Sequence, residues 1–87
     1  MTGSAPPLEI RVLLFGMLRE RLHAARLCIH EPVATVSELW DVVTTGRPDV
    51  ATTRGSVRCA CNLEYCQWDA PLTNGDEVAF MPPVCGG

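Results

Sequence analysis

The sequence contains no lysine, so its seven basic side chains are all arginines. Aspartate and glutamate together number ten, which gives a formal net charge of -3. Because binding to a nucleic acid backbone requires a basic surface, this balance argues against nucleic acid as the main partner. A preference for arginine codons is the simplest explanation of the missing lysine.

Long apolar runs are also missing from the sequence. The longest of them, such as the run from Val12 to Phe15, are far too short to cross a membrane. The first seven residues lack the basic segment and following apolar stretch of a secretory signal. We therefore expect a cytoplasmic protein without a membrane partner, whose five cysteines are reduced thiols.

The length of 87 residues is enough for one hydrophobic core and not for two. Hydrophobic residues make up 47% of the chain and charged residues 20%, a balance typical of a folded globular domain. Few folds of this size enclose a deep active-site pocket. The length therefore favours a binding or carrier module over an enzyme that acts alone.

Hydrophobic periodicity predicts five strands and two helices. The strands cover residues 8–15, 26–30, 57–63, 65–68 and 77–81, and the helices cover 17–25 and the segment between Thr35 and Gly46. The second helix begins with a capping box, because Thr35 and Glu38 have the required T-x-x-E spacing. Residues 47–56 have no clear period and are predicted to form a loop with at most one helical turn.

The predicted order β, α, β, α, β, β, β indicates an α+β fold. A β-grasp (ubiquitin-like) roll fits this order, with a mixed sheet of about five strands and the helices on one face. The predicted organisation is a disordered leader over 1–7, a single domain over 8–81 and a flexible C-terminal tail over 82–87.

The first and last strands place apolar side chains on both of their faces. Ile10, Val12 and Leu14 alternate toward the predicted core, yet Leu13 and Phe15 are apolar as well. The last strand has the same property at two positions, Ala79 and Met81. If the two strands are neighbours, these four residues form one exposed apolar patch, which is typical of an interaction site. Alternatively, a loop or the second hairpin covers them.

The C-terminal segment has a composition suited to entering a narrow site. Pro82 and Pro83 favour an extended backbone. The following Gly86 and Gly87 bend freely and carry no side chain next to the terminal carboxylate. Such a tail could be inserted into a partner's pocket, although a frayed terminus without function would have the same composition.

Two segments resemble a known family, the small sulfur-carrier subunits of molybdopterin synthase, which are ubiquitin-like proteins. One is VLLFGMLRE, from Val12 to Glu20, and the other is PLTNGDEVAFMPPVCGG, from Pro71 to Gly87. The middle segment ACN, from Ala60 to Asn62, also looks like the family. The combination of N-G-D-E-V-A, Pro-Pro and a terminal Gly-Gly is specific, and the likeness spans nearly the whole chain from residue 9.

This resemblance implies that the reactive group is the carboxylate of Gly87, which follows Gly86. An adenylyltransferase similar to ubiquitin-activating enzymes would adenylate it with ATP, and a sulfur donor protein would convert it to a thiocarboxylate. The tail would then enter the large subunit of molybdopterin synthase, in a two-plus-two complex, and give sulfur to cyclic pyranopterin monophosphate. The chain itself would bind no cofactor and no metal and would not be the catalytic subunit.

The resemblance also implies which residues contact the partner. They are the four residues of the apolar patch and the first four residues of the tail: Leu13, Phe15, Ala79, Met81, Pro82, Pro83, Val84 and Cys85.

Three other functions remain open from the sequence. A carrier for thiazole or cysteine biosynthesis would share the fold and the terminal Gly-Gly. A protein modifier conjugated to lysines would use the same carboxylate, and its own lack of lysine would limit self-conjugation. A plain interaction domain would have an inert tail.

The cysteines suggest two further sites, both of them weakly. Cys59, Cys61 and Cys66 together with two histidines could suggest zinc, but a C-x-C pair on a strand is more typical of core packing. A Cys61–Cys66 disulfide would require residues 63 and 64 to form the turn. Cys85 could attack the activated carboxylate or form a mixed disulfide, although simple replacement of another small residue is the favoured interpretation.

Overall fold

A computed structural model describes residues 9–83 of the chain. The elements are β1 (Ile10–Leu14), α1 (Gly16–Leu22), β2 (Arg26–Ile29), α2 (Val36–Val43), α3 (Pro48–Ala51), a 3₁₀ helix (Thr52–Ser56), β3 (Arg58–Cys61), β4 (Glu64–Cys66) and β5 (Glu77–Met81). The predicted leader over 1–7 and the residues after Pro83 lie outside this range.

The five strands form one mixed sheet in the order β2-β1-β5-β3-β4. β1 and β5 are parallel and lie side by side near the centre, and the other three strand pairs are antiparallel. The neighbouring position of the first and last strands is the arrangement that the predicted β-grasp roll requires. The prediction of a mixed five-stranded sheet is confirmed.

The helices cover one face of this sheet and form the core with it. Alternate strand residues are buried against side chains from α1, α2 and α3. The largest side chains with almost no exposure are Ile10, Val12, Leu14, Leu18, Val36, Leu39, Trp40, Val50, Val78 and Phe80. The opposite face of the sheet carries no helix among the described residues.

Three aromatic rings close the core on the side of β4. The ring centroids of Trp40 and Phe80 lie 5.1 Å apart, and those of Trp68 and Phe80 lie 5.9 Å apart. The Arg54 guanidinium lies over the Trp68 ring, 4.5 Å from its centroid. This cluster ties the loop after β4 to the helical layer, since aromatic pairs at such distances attract each other.

The capping box of α2 forms with one difference from the predicted pattern. The Thr35 hydroxyl accepts a hydrogen bond from the Glu38 amide at 3.2 Å. The Glu38 carboxylate reaches back and accepts from the Ala34 amide at 2.8 Å, one residue before the expected Thr35 amide. The helix therefore starts at a fixed position, which directs Val36, Leu39 and Trp40 into the core.

Several boundaries differ from the sequence predictions. α1 ends at Leu22 rather than at residue 25, because His23 adopts a left-handed conformation with φ of 57°. Residues 47–56 are mostly helical, with α3 followed by the 3₁₀ helix. The prediction allowed for one helical turn, which is present as α3, but it missed the 3₁₀ helix, because turns this short show no period.

A polar clamp fixes the start of β5. The Asp76 carboxylate accepts hydrogen bonds from the Thr73 amide at 2.8 Å and from the Asn62 side chain at 3.0 Å. Asn62 in turn accepts from the Glu77 amide at 3.1 Å. Burial acts against ionisation of Asp76, but the hydrogen bonds from Thr73 and Asn62 outweigh it and lower the pKa of this carboxyl. The clamp joins the β3–β4 turn to β5.

Candidate functional site: an apolar groove on the open sheet face

The open face of the sheet carries a shallow apolar groove of about 260 Å³. It contains all four residues that the sequence places in an apolar patch, namely Leu13, Phe15, Ala79 and Met81. The remaining lining residues come from the β3–β4 hairpin and from the start of β5. We call this set the apolar groove: Leu13, Phe15, Ala60, Leu63, Tyr65, Ala79 and Met81, with Glu77 at its border.

Strand register explains why these residues meet. Ala79 on β5 lies between Leu13 on parallel β1 and Ala60 on antiparallel β3. Ala60 in turn is opposite Tyr65 on β4. Since side chains at paired positions point to the same face, one row crosses four strands. The two alanines form a low floor, and the larger side chains surround it.

The rim of the groove is strongly exposed. Phe15 is 46% exposed, Leu63 is 90% exposed and Tyr65 is 74% exposed. Such a concentration of large apolar side chains in water is unusual for a surface without a partner. Within residues 9–83 no loop covers the groove, and the β3–β4 hairpin continues the sheet beside it rather than lying over it, so neither form of the covered alternative holds there.

Sequence reasoning missed the contribution of the β3–β4 hairpin to the groove. Asn62 and Leu63 both have positive φ, of 52° and 74°, and they form a two-residue turn. This turn places Leu63 at the tip and Tyr65 on the open face. In the sequence, Tyr65 stands between Glu64 and Cys66, so strand alternation places it on the opposite face from both of them. Which of the two faces is the open one depends on the strand register, which the sequence does not reveal.

The other half of the open face is charged. Glu9, Arg11, Arg26 and Glu77 line a second depression together with Cys28. The Cys28 thiol lies 3.7 Å from the Glu9 carboxylate and 3.3 Å from the His30 ring. Desolvation and the charge of Glu9 raise the pKa of Cys28, so this thiol stays protonated near neutral pH.

The C-terminal segment starts at one end of the groove. β5 ends at Met81, and the following Pro82 and Pro83 lie beside Gly16 and Met17 at the start of α1. Proline cannot donate a backbone hydrogen bond, so the sheet ladder stops here. The other predicted tail residues, Val84, Cys85, Gly86 and Gly87, lie outside the described residues.

The hairpin cysteines lie in or beside the core and not in a metal site. Desolvation raises the pKa of Cys59 to about 12 and that of Cys61 to about 11. Among residues 9–83 there is no group of three or more His, Cys, Asp or Glu side chains placed to hold a metal ion. Neutral buried thiols are poor metal ligands and poor nucleophiles.

The register also corrects the disulfide considered from the sequence. Cys66 is the cross-strand partner of Cys59, and Cys61 pairs with Glu64. The turn residues are Asn62 and Leu63 rather than 63 and 64, which moves the partner of Cys66 by two positions, from Cys61 to Cys59. The four cysteines in the described part of the chain are free thiols. Within the same part, no helix is long and apolar enough to span a membrane.

These features define a class of protein: a ubiquitin-like β-grasp domain with an apolar groove that leads to its C-terminal segment. The ThiS family model matches residues 12–87. The chain belongs to the ThiS family. A curated relative, the molybdopterin synthase sulfur carrier subunit of Escherichia coli K12, is 36% identical over 80 residues, which is 90% of this chain and 99% of that relative.

Solved structures show the same fold at lower sequence identity. The small archaeal modifier protein 1 from Methanosarcina acetivorans superimposes with a TM-score of 0.80 at 22% identity, over 95% of this chain and 100% of that one. Subunit 1 in the complex of subunits 1 and 2 of the Helicobacter pylori molybdopterin-converting factor gives a TM-score of 0.64 at 23% identity, over 92% of this chain and 100% of that one. These likenesses confirm the predicted β-grasp fold.

Proposed function

We propose that this protein is the sulfur carrier of a molybdopterin synthase. Its Gly87 carboxylate is adenylated with ATP by an activating enzyme, which releases pyrophosphate, and sulfide-level sulfur from a donor protein then displaces AMP to leave a thiocarboxylate. Each thiocarboxylate gives one sulfur to cyclic pyranopterin monophosphate in the large subunit and is left as a carboxylate, and two such transfers build the dithiolene of molybdopterin. The catalytic groups belong to the partner enzymes, and a location in the cytosol stays a prediction.

The observation that carries the proposal is the position of the apolar groove. β1 and β5 are parallel, so both end at the edge of the sheet where the C-terminal segment begins. A partner that covers Phe15 and Met81 is therefore close to the residues that follow Pro83. A partner that binds the groove also receives the tail, because only a few extended residues are needed to reach a neighbouring pocket of that partner.

The chemistry of the terminus agrees with this use. A carboxylate is a poor electrophile, and an acyl adenylate supplies the leaving group that it lacks. Gly86 and Gly87 present no side chain to the enzyme that must enclose the carboxylate. Cys28, Cys59 and Cys61 do not compete for this chemistry, since their pKa values are raised.

The partner expected at the groove is the large subunit of molybdopterin synthase. The fold likeness to subunit 1 of the Helicobacter pylori complex supports a partner of that kind. Apolar residues dominate the centre of stable interfaces, and the groove offers Phe15, Tyr65 and Met81 for that role. We expect two copies of each subunit in the assembled enzyme.

Mass spectrometry of the co-expressed protein tests this function. Co-expression with an activating enzyme and a sulfur donor should replace one oxygen of the C-terminal carboxylate by sulfur, which intact mass detects. The control is the same chain without Gly87, which should show no mass change. A protein that remains entirely in the carboxylate form after co-expression with a competent activating enzyme would contradict the proposal.

A transfer assay separates the alternatives. The thiocarboxylated protein and the large subunit should convert cyclic pyranopterin monophosphate to molybdopterin. Carriers for thiazole or cysteine biosynthesis would be thiocarboxylated but inactive in this assay, and a modifier would be found attached to lysines of other proteins. An interaction domain with an inert tail would keep its binding after deletion of Gly87.

A further inference from the structure

The C-terminal segment leaves the sheet beside Gly16, where Pro82 approaches the start of α1 closely. Gly16 is the first residue of α1 and has a φ of +55°, which turns the chain sharply out of β1. A Cβ atom placed on Gly16 would lie 2.7 Å from Cγ of Pro82 and 3.6 Å from its Cδ. The shorter distance is well below a normal contact between carbon atoms. Any side chain at position 16 must therefore displace Pro82.

Pro82 has little freedom to absorb such a displacement. A change of ring pucker can move Cγ slightly with the main chain in place, but the closed ring has no rotamer that swings it clear of Gly16, so any larger displacement moves the main chain as well. Its neighbour Met81 is fixed by the sheet, with Phe80 paired to Leu14 and Met81 opposite Arg58. The movement is therefore passed on to Pro83 and to the chain that follows it.

We propose that Gly16 is a positioning residue that sets the direction in which the C-terminal segment leaves the domain. A shallow depression of about 340 Å³ is bordered by Gly16, Met17, Pro82 and Pro83. This inference rests on the proposed function, because the direction matters only if the tail must enter a partner's pocket. Gly16 acts through Pro82 and touches no reacting atom.

The chain offers a matched control in Gly46. Its φ of +78° is also left-handed, so an alanine there is strained as it is at position 16. A Cβ on Gly46, however, meets no atom within 4 Å. The comparison of Gly16→Ala with Gly46→Ala therefore separates the contact with Pro82 from backbone strain.

The test measures sulfur transfer in a single turnover at increasing concentrations of the large subunit. Gly16→Ala should lower the rate at saturation about 10- to 100-fold, because small displacements of a reacting group have effects of this size. The concentration for half-saturation should change by less than about threefold, since the apolar groove is intact. Gly46→Ala should stay within about twofold of wild type in both quantities.

A double-mutant cycle identifies Pro82 as the intermediary. Pro82→Ala removes the Cγ and Cδ atoms that the new Cβ would meet. In that background Gly16→Ala should lower the rate at saturation by less than about threefold. If the full loss persists, or if Gly16→Ala behaves like Gly46→Ala, the inference is wrong.

A substitute variant and an NMR measurement allow the inference to be tested separately from folding and from the proposed function. If Gly16→Ala does not fold, Gly16→Asn takes its place, because asparagine tolerates left-handed φ and still carries a Cβ. An NMR contact between the Gly16 α protons and the Pro82 γ protons should be present in wild type, and its absence would also contradict the inference. A wild-type protein that forms no thiocarboxylate would refute the proposed function first, whatever the NMR contact shows.

Discussion

Strand β5 has two faces that are both largely apolar but differ in how well they are covered. Val78 and Phe80 point toward the helices and have no exposed surface. Ala79 and Met81 point the other way, into the apolar groove, and are only partly covered. Both faces are apolar, yet within residues 9–83 only one of them is covered by other elements. The apolar character of the second face thus has to be explained by something outside the fold.

The two faces predict different consequences of substitution. A change on the core face removes contacts that hold the domain together, so it should lower the free energy of unfolding. A change on the open face removes contacts that the isolated chain does not make. It should leave folding nearly unchanged and weaken binding instead.

The largest expected effect is on the core face. Phe80→Ala should lower the free energy of unfolding by about 3–5 kcal/mol, because it removes a ring that contacts Trp40 and Trp68 and leaves a cavity. Urea unfolding followed by tryptophan fluorescence measures this loss. The control is Met81→Ala on the open face, which should cost less than about 1 kcal/mol. Equal losses would mean that the two faces are not distinct.

The next effect concerns binding through the open face. The double variant Phe15→Asp with Met81→Asp should bind the large subunit about 100-fold more weakly, since it puts two charges into an apolar interface. Isothermal titration calorimetry measures the affinity, and circular dichroism shows whether the variant is folded. A folded double variant with normal affinity would show that the groove is not the interface.

A matched control lies on the charged half of the same face. Arg26→Asp changes the net charge by the same amount as the double variant, and Arg26 lines the depression that also contains Glu9 and Arg11. Its affinity for the large subunit should stay within about threefold of wild type. A loss as large as that of the double variant would indicate that charge, and not the apolar groove, determines binding.

The sequence alone predicts that the open face carries an apolar patch, but it does not predict how far the apolar groove extends. Period-two alternation identified Leu13, Phe15, Ala79 and Met81, because each strand reports its own faces. Leu63 and Tyr65 could not be added, since their position depends on the β3–β4 register and on a turn with two positive φ values. The close approach of Pro82 to Gly16 joins distant parts of the chain, and no local sequence pattern reveals it.

A moderate loss of unfolding free energy is expected at Asp76, the residue whose hydrogen bonds fix the register of β5. Asp76→Ala removes an acceptor for hydrogen bonds from Thr73 and Asn62 and should lower the free energy of unfolding by about 1–3 kcal/mol. A one-residue slip of β5 would exchange its two faces, so the clamp protects the distinction between them. Amide exchange of Glu77 and Val78 should accelerate in this variant and not in Glu64→Ala.

The contribution of Asp76 should depend on pH. Its pKa is lowered by folding, so the stabilisation is fully present above the unfolded value of about 3.9. It is lost as the pH falls through the lower, folded value. The difference in unfolding free energy between wild type and Asp76→Ala should therefore be constant near neutral pH and shrink in acid. A difference that stays constant down to the acid limit would show that the carboxylate charge is not what the clamp uses.

The smallest effect is expected at the edge of the core face, where Arg54 covers Trp68. The guanidinium lies 4.5 Å from the ring centroid, and a contact of this kind contributes about 0.5–1 kcal/mol. Arg54→Ala should lower the free energy of unfolding by that amount, measured in urea with tryptophan fluorescence. Arg58→Ala removes the same charge from the open face and should change it by less than about 0.5 kcal/mol. If both variants lose the same free energy of unfolding, the change in net charge accounts for the loss. The contact between Arg54 and Trp68 would then contribute nothing specific to stability.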